Sequence, residues 1–506
     1  MNKNAFIGLL TVVISLSVFF QDAVRGDDLE KSRKGGDRDG AVAAKKATTD
    51  EGLGLLRKGD EQADRGDTTS AVVSYKEGFE RILPVMRGLP FRHEVKRDVT
   101  LREKLAEMLI KEIDSETPPE EFRADELGMK ALGLLPADYK LKDSLVKLYT
   151  EQIAAFYDPK TKTMHLIQEP GAKAFEKTAK PSFLDLLMGK TSKFNKDENK
   201  TVIAHELTHA LADQHYDLDL LQKATHDDDD ASTALSALIE GEATLTMMGA
   251  QTSDWTGERI VNLPHERLKR TFELMGPMMI GVGGGSLASA PPILSEGLLF
   301  PYLRGVVFCA KLANDGGWAA IDRAYKRPPL STEQIIHPEK YDQNIDVPMA
   351  VDLGDLPVGG DWKELGRNVV GEMQLAVMLR KQNGKSAAAG WDGDSYAVFE
   401  APDGRLGLVW LSVWDSDSEA IEFHRAYARF QTSKLAKEAV EPDAFPDSIR
   451  RPDRGAVQIL ERRGPLVCVV EGFSADAANR IVEAAFKAKI VEKTPETLKT
   501  KKKKGK

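Results

Sequence analysis

The segment 201–211, TVIAHELTHAL, constrains the fold of this chain more than any other feature. On an α-helix, residues four positions apart project from one face about a turn apart, so His205 and His209 would stand side by side. The apolar residues around them favour packing of this helix into a protein core. The chain therefore has to build a long helix that brings two imidazoles to one point.

Two imidazoles at this spacing can bind one metal ion, and zinc is the metal typical of the pattern. Glu206 lies next to them, where its carboxylate can take the proton of a metal-bound water as that water attacks a carbonyl group. With nine His in the chain, a chance match to His-Glu-x-x-His is expected about once in a hundred such sequences. We therefore predict one zinc ion bound by His205 and His209, with Glu206 as general base. A helix that carries two surface histidines is the alternative.

A catalytic zinc usually has three protein ligands, and the next predicted helix offers two candidates for the third. Its sequence, ALSALIEGEATLTMM, places Glu240 and Glu242 among apolar and small residues. A buried carboxylate without a partner costs free energy, which is itself a reason to expect a cation nearby.

HELTHAL followed by a helix with EGEA resembles the gluzincin branch of the zincin metallopeptidases, which is distantly related to thermolysin-type enzymes. The resemblance implies that Glu240, with the small residue Ala243 three positions later, is the third ligand, and Glu242 is the alternative. The chain departs from the pattern at Thr244, where thermolysin-like enzymes have an acidic residue that orients a zinc-bound histidine. We expect Asp213, on the first helix, to substitute for it.

The resemblance extends to a family of exported zincin-like proteins. Its four recurring pieces occur here at 156–163 (FYDPKTKT), 205–211 (HELTHAL), 240–244 (EGEAT) and 331–338 (STEQIIHP). In zincins an edge strand before the metal helix binds extended substrate by strand addition, so the resemblance implies this role for the strand around Phe156. A plain hairpin is the alternative.

The piece PPLSTEQIIHPEKY contains His337 and Tyr341, four residues apart. Either side chain can donate a hydrogen bond to the oxyanion that forms on a substrate carbonyl, so we assign both to catalysis. A histidine that only caps a turn or hydrogen-bonds in the core is the alternative.

The remaining periodicity predicts an α+β protein of several domains, because 506 residues exceed what one core usually supports. The expected parts are a signal peptide or N-terminal anchor (1–26), a disordered linker (27–50), a helical support with one tetratricopeptide-like hairpin (51–145), a zincin-like catalytic domain (146–345), a smaller C-terminal α+β domain (346–490) and a basic disordered tail (491–506).

The N-terminal order of Lys3, an apolar run at 5–20 and a polar stretch is typical of a secretory signal. It predicts export to the periplasm or the extracellular space, with membrane contact only if the segment stays uncleaved as an anchor. The formal net charge of −9 lacks the basic excess that binds nucleic acid.

Cys309 and Cys468 each lie in an apolar run, which predicts two buried free thiols, with one disulfide as the alternative. For the acidic residues 227–230 we expect a solvated loop, with a calcium site or a helix cap at Asp230 as the alternatives.

Together these features predict zinc-dependent hydrolysis of peptide bonds in a peptide or protein substrate. Two alternatives remain open. One is a protein that keeps the zincin fold and binds a partner without catalysis, and the other is a zinc hydrolase of a non-peptide amide or ester.

Overall fold

The computed structural model describes residues 10–12, 39–168, 196–282, 285–343, 345–434, 446–453 and 455–498. Within these ranges the protein is α+β, as predicted. The predicted signal peptide or anchor lies outside the described residues except for 10–12.

The helices are numbered in chain order. They are α1 Asp39–Asp64, α2 Thr68–Arg87, α3 Arg102–Glu116, α4 Pro119–Leu132, α5 Leu141–Gln152, α6 Lys196–Tyr216, α7 Leu218–Ala224, α8 Asp229–Gln251, α9 His265–Val282, α10 Gly285–Ser289, α11 Pro292–Gly316, α12 Trp318–Lys326, α13 Thr332–Ile336, α14 Pro338–Asp342, α15 Gly371–Met378, α16 Gly384–Ala388, α17 Asp417–Lys434, α18 Ala475–Ala485 and α19 Pro495–Leu498.

The strands are numbered in the same way. They are β1 Leu10–Val12, β2 Lys96–Leu101, β3 Ile153–Asp158, β4 Thr163–Gln168, β5 Met349–Asp352, β6 Lys363–Asn368, β7 Trp391–Glu400, β8 Leu406–Trp414, β9 Ser448–Asp453, β10 Ala456–Arg463, β11 Leu466–Phe473 and β12 Lys489–Glu492.

The N-terminal helices α1 and α2 form a hairpin that packs against α6. The two helices approach closely at glycine, since a Cβ on Gly52 would lie 2.7 Å from Cγ1 of Ile82. The predicted disordered linker at 27–50 is therefore wrong from Asp39 onward, where α1 begins. The start of α1 is polar and has no helical spacing of apolar residues, so its sequence does not predict a helix. This part is helical because it is continuous with the later part of α1, which packs on α2.

A four-stranded sheet of order β1-β3-β4-β2 lies beside this hairpin. β3 and β4 form an antiparallel hairpin, β2 runs parallel to β4, and β1 pairs antiparallel with β3. The helical support predicted over 51–145 is therefore wrong at Lys96–Leu101, which is a strand of this sheet. β2 is an edge strand of this sheet, and most of its residues are exposed. Its sequence, KRDVTL, therefore lacks the full alternation of apolar and polar residues that predicts a strand.

A second, six-stranded antiparallel sheet of order β6-β7-β8-β11-β10-β9 forms the C-terminal part. α17 packs on one face of the sheet and α18 packs on β8, β10 and β11. Helix α4 packs on the same face of the sheet as α17. The apolar core of this face is continuous with the core around α8 and α11. Helices α3 to α5, the central helices α8 and α11 and this face of the sheet therefore share one core, while α1, α2 and α6 pack in a second apolar cluster.

The predicted disordered tail at 491–506 is wrong for its first residues. β12 extends to Glu492 and pairs with β5, and α19 follows at Pro495–Leu498. Between them, the side chain of Lys493 is buried and pairs with Asp228 at 3.0 Å. A lysine in a basic run looks solvated in sequence, but here a carboxylate on a distant element binds it.

Cys309 and Cys468 are buried and free, so the prediction of two free thiols is confirmed. Among the described residues, α11 alone has the length and hydropathy to cross a membrane, yet 83% of its most apolar window is buried inside the protein. A core helix has the same properties.

Candidate metal centre

The helix α6 is buried on all sides over 13 consecutive residues, Thr201 to Asp213. Small and apolar side chains surround its two histidines, so the helix has no solvent-facing stripe in this part. It packs against α2, α8 and β3. His205 and His209 are therefore held inside the protein, with 1% of each residue exposed. The alternative of two surface histidines is excluded.

The helix α8 is buried over 20 consecutive residues, Asp230 to Gly249, and it packs closely on α11. A Cβ on Gly241 would lie 2.2 Å from the carbonyl oxygen of Gly305, and a Cβ on Gly305 would lie 2.0 Å from that of Ala237. Glycine at both positions lets the two backbones approach to a distance that no other residue permits. This crossing brings the side chains of α11 to the face of α8 that contains Glu240.

Three side chains from α6 and α8 converge on one point. Nε2 of His205 lies 3.0 Å from Oε2 of Glu240, and Nε2 of His209 lies 3.5 Å from the same oxygen. Ligands about 2.1 Å from a tetrahedral zinc ion lie about 3.4 Å from one another, so these distances fit the predicted ion. Glu240 is fully buried. The three residues form a possible metal-binding group, and the structure brings together all three predicted ligands.

The electrostatics of the three residues follow from their burial. Desolvation lowers the pKa of His205, and it lowers the pKa of His209 to about 4, so both imidazoles are neutral at pH 7. Desolvation also raises the pKa of Glu240 to about 7, against the opposing effect of the hydrogen bond from His205. Neutral imidazoles are the form that binds a metal ion.

Glu242, the alternative third ligand, points to the other side of α8. Its Oε1 accepts a hydrogen bond from Nε of Arg87 at 2.5 Å, and its Oε2 accepts one from the hydroxyl of Tyr325 at 2.5 Å. Arg87 also pairs with Asp322 at 2.8 Å and lies over the ring of Trp318. Both oxygens of Glu242 thus have partners in a buried network, and the geometry favours Glu240 as the ligand.

Asp213 does not orient a histidine of the metal-binding group, contrary to our prediction. Its Oδ2 accepts hydrogen bonds from the hydroxyl of Tyr157 at 2.7 Å and from Nζ of Lys162 at 2.8 Å, while its Oδ1 accepts one from the backbone of Leu218. Asp213 fixes β3 and the start of α7 to α6, and it is not an orienting partner of His205. Among the described residues, Nδ1 of His205 has no hydrogen-bond partner.

His337 and Tyr341, which we assigned to oxyanion stabilisation, make their polar contacts elsewhere. Nε2 of His337 lies 2.9 Å from Oε1 of Glu372 on α15. The hydroxyl of Tyr341 donates to the backbone oxygen of Arg327 at 2.7 Å, and the ring packs edge-on against Phe308. The structure therefore places both residues in contacts that join α13 and α14 to their neighbours. Their catalytic role remains a prediction without a supporting contact.

The strand β3, for which we predicted substrate binding, pairs on one side with β4 and on the other with β1. In the latter pairing Leu10 lies opposite Phe156 and Thr11 lies opposite Ala155. A short antiparallel strand thus occupies the edge of β3 that the prediction reserved for an extended peptide.

The acidic residues 227–230 do not form the solvated loop that we expected. Asp228 accepts a hydrogen bond from the backbone of Ala231 and caps α8, a role that we had proposed for Asp230. Asp230 is buried, and its Oδ1 accepts hydrogen bonds from the backbone and the hydroxyl of Thr332. These carboxylates therefore join α8 to the STEQIIHP piece and, through Lys493, to the C-terminal end.

A second group of carboxylates, Glu333, Asp346 and Asp415, also lies close enough to hold a cation. The ammonium group of Lys340 already occupies its centre, at 2.7 Å from Glu333, 2.9 Å from Asp346 and 2.7 Å from Asp415. This group is therefore a partly buried ion-pair cluster between α14 and the C-terminal sheet.

Sequence reasoning missed Tyr302, which α11 places at the metal-binding group. Its ring lies 6.3 Å from that of His205, and its hydroxyl hydrogen-bonds to the side chain of Glu240. Tyr302 lies in an apolar run, LLFPYLRG, that contains no recognisable motif. Only the crossing of α8 and α11 at their glycines reveals its position.

Comparison with known proteins gives one match. Residues 359–482 match a family described as a domain of unknown function, DUF8575. The match covers all six strands of the C-terminal sheet, α17 and part of α18, and it includes no residue of the metal-binding group. No curated protein and no solved structure gives a significant match to the chain.

Proposed function

We propose that this protein is a zinc-dependent peptidase with a zincin-like site formed by α6 and α8. One observation carries the proposal. The imidazole nitrogens of His205 and His209 lie 3.0 and 3.5 Å from one oxygen of Glu240, inside the protein and at distances suited to a shared ion. The residue between the histidines that the reaction needs as a base, Glu206, is on the same buried stretch of α6.

The residues present fit a zinc ion, because two neutral imidazoles and one carboxylate are a donor set typical of catalytic zinc. When bound, zinc would polarise a substrate carbonyl group and lower the pKa of a water molecule. His205, His209 and Glu240 would hold the ion and leave one coordination position open. Glu206 would accept the proton of the attacking water and then deliver it to the leaving amine.

Metal analysis of the purified full-length protein tests the ligand set before any substrate is known. We expect about one zinc ion per chain in the wild type, because structural and catalytic zinc sites with this donor set are tight. Glu240→Ala should lose most of the zinc, because it removes the carboxylate that both imidazoles face.

Glu242→Gln is the matched control, since it alters a carboxylate two residues away that faces Arg87 and Tyr325. We expect this variant to keep the zinc of the wild type. Equal zinc content in wild type and Glu240→Ala, or loss of zinc only in Glu242→Gln, would contradict the proposed ligand set.

A metal-binding protein without hydrolytic activity is a second candidate, and the burial of the site favours it. Glu206 and Glu240 are fully buried, and the two histidines are 1% exposed. Two clefts in the described part of the chain, one of them about 280 Å³ between α3 and the β3–β4 turn, are lined by other residues. A zinc-loaded wild type that cleaves no member of a broad peptide library would support this candidate.

A further inference from the structure

The position of Tyr302 is fixed by the contact between α8 and α11. Gly305 lies three residues after Tyr302, on the same face of α11, and it packs directly on the backbone of α8. Because no side chain separates the two helices at this point, the side chain of Tyr302 extends as far as Glu240. The residue is buried, with 3% of its surface exposed.

Tyr302 contacts two of the three proposed ligands. Its hydroxyl hydrogen-bonds to the carboxylate of Glu240, and its ring lies nearly parallel to that of His205, at 25° between planes and 6.3 Å between centroids. A phenol is the donor when it bonds to a carboxylate, so the tyrosine can fix the rotation of the Glu240 side chain. The ring limits the space into which His205 can turn.

We propose that Tyr302 is the positioning residue of the metal centre, which donates a hydrogen bond to Glu240 and holds this carboxylate in the orientation that binds the ion. The inference rests on the proposed zinc site and extends it by one residue outside the ligand set. In metal sites such outer partners set ligand orientation, and their loss typically lowers metal affinity about 10–100-fold.

The chain contains a matched control for this residue. Tyr325 is likewise buried and donates its hydroxyl to a glutamate of α8, but that glutamate is Glu242. Tyr302→Phe and Tyr325→Phe therefore each remove one hydroxyl from a buried tyrosine–glutamate pair on the same helix. Only the first pair includes a proposed metal ligand.

The experiment measures the dissociation constant for zinc of the full-length wild type and both variants by competition with a chromogenic chelator. We expect Tyr302→Phe to raise the dissociation constant about 10–100-fold and Tyr325→Phe to leave it within about twofold. Replacement of zinc by Co²⁺ gives a second readout. The visible absorption of the Co²⁺ form should change in Tyr302→Phe, where the ligand geometry changes, and not in Tyr325→Phe.

The outcomes separate this inference from the proposed function. If the wild type binds zinc and Tyr302→Phe binds it with unchanged affinity and an unchanged Co²⁺ spectrum, the role of Tyr302 is refuted and the zinc site stands. Equal losses in both variants would also refute it, because they would indicate a general packing effect. If the wild type binds no zinc, the metal site itself is wrong and the inference fails with it.

Discussion

Glu240 and Glu242 lie two residues apart on one buried helix and have different partners. A step of two residues turns an α-helix by about 200°, so the two carboxylates point to nearly opposite sides of α8. Glu240 faces the histidines of α6, while Glu242 faces Arg87 at the end of α2. A buried arginine compensates Glu242, and we propose that a metal ion compensates Glu240.

At the residue scale, Glu206→Gln tests the general base. Glutamine has nearly the same shape but cannot accept a proton at neutral pH, so we expect zinc content to stay at the wild-type level. Hydrolysis should fall at least about 100-fold, because general base catalysis typically contributes 10²–10⁴-fold to the rate. The measurement is turnover of a quenched fluorescent peptide library beside metal analysis.

Glu198→Gln is the control for this substitution, since Glu198 lies on the same helix, two turns before Glu206 and outside the metal-binding group. Hydrolysis by this variant should remain near that of the wild type. Full activity in Glu206→Gln would exclude its role as base, whatever the metal content.

The grouping of His205 and His209 at the proposed metal site could be predicted from sequence, because it depends on local spacing. The spacing of four positions between His205 and His209 places both imidazoles on one helical face. Asp213 and Tyr302 could not be placed in this way. The partner of Asp213 is Tyr157 on a strand 56 positions away, and Tyr302 meets Glu240 only through a helix crossing. Such contacts depend on tertiary packing, which has no local pattern.

At the element scale, α8 and α11 act as one unit. Their interface contains Gly241, Gly305 and the small residue Ala237, and it lets backbone pack on backbone. The distance between the helices determines whether Tyr302 reaches Glu240. The packing of the unit is therefore coupled to the geometry of the metal site.

Gly305→Ala tests this coupling. The new Cβ would lie 2.0 Å from the carbonyl oxygen of Ala237, so the helices must separate. We expect the free energy of unfolding to fall by about 1–3 kcal/mol, because the added methyl group overpacks the interface. Zinc affinity should also fall. Urea unfolding and chelator competition measure the two effects.

The control is Gly297→Ala on the same helix, where a Cβ would meet no atom within 4 Å. Alanine there should stabilise the helix by up to about 1 kcal/mol, because glycine is the poorer helix former. A Gly305→Ala variant as stable as Gly297→Ala would show that the crossing tolerates a side chain and would remove the basis of the coupling.

Prediction from sequence was less successful for whole elements at the ends of the chain. The strand β2 and the start of α1 have polar sequences, and they are ordered by the sheet and the helix that they join. Polar composition by itself predicts a loop. A polar strand or helix that is stabilised only by its neighbours in the fold is therefore not predicted from sequence. The long apolar helix α8 could be predicted, because burial on all sides leaves a clear signal in its composition.

At the scale of the whole molecule, the α1–α2 hairpin and the last described residues of the chain both contact α8. Arg87, from the N-terminal hairpin, contacts its middle at Glu242. Lys493, from the C-terminal end, contacts Asp228 at its N-terminus and also donates to the backbone oxygen of Leu330. The helix that carries the proposed ligand Glu240 is thus held by residues about 400 positions apart in the chain.

Lys493→Met tests the C-terminal contact. The substitution keeps the length of the side chain and leaves Asp228 buried without its cation, so we expect a loss of about 3–5 kcal/mol in the free energy of unfolding. Lys489→Met is the control, since Lys489 is exposed on β12, and a change within about 0.5 kcal/mol is expected there. Equal stability of the two variants would show that the buried pair contributes nothing.

The shared core has a consequence for how this protein can be divided. A fragment cut to residues 146–345 would retain both histidines, Glu206 and Glu240, and its boundaries would agree with the sequence motifs. It would nevertheless lack Arg87 and Lys493, and so leave two carboxylates of α8 uncompensated in its interior. Measurements on the proposed metal site therefore call for a chain that includes both Arg87 and Lys493, and we expect the fragment 146–345 not to fold as an autonomous unit.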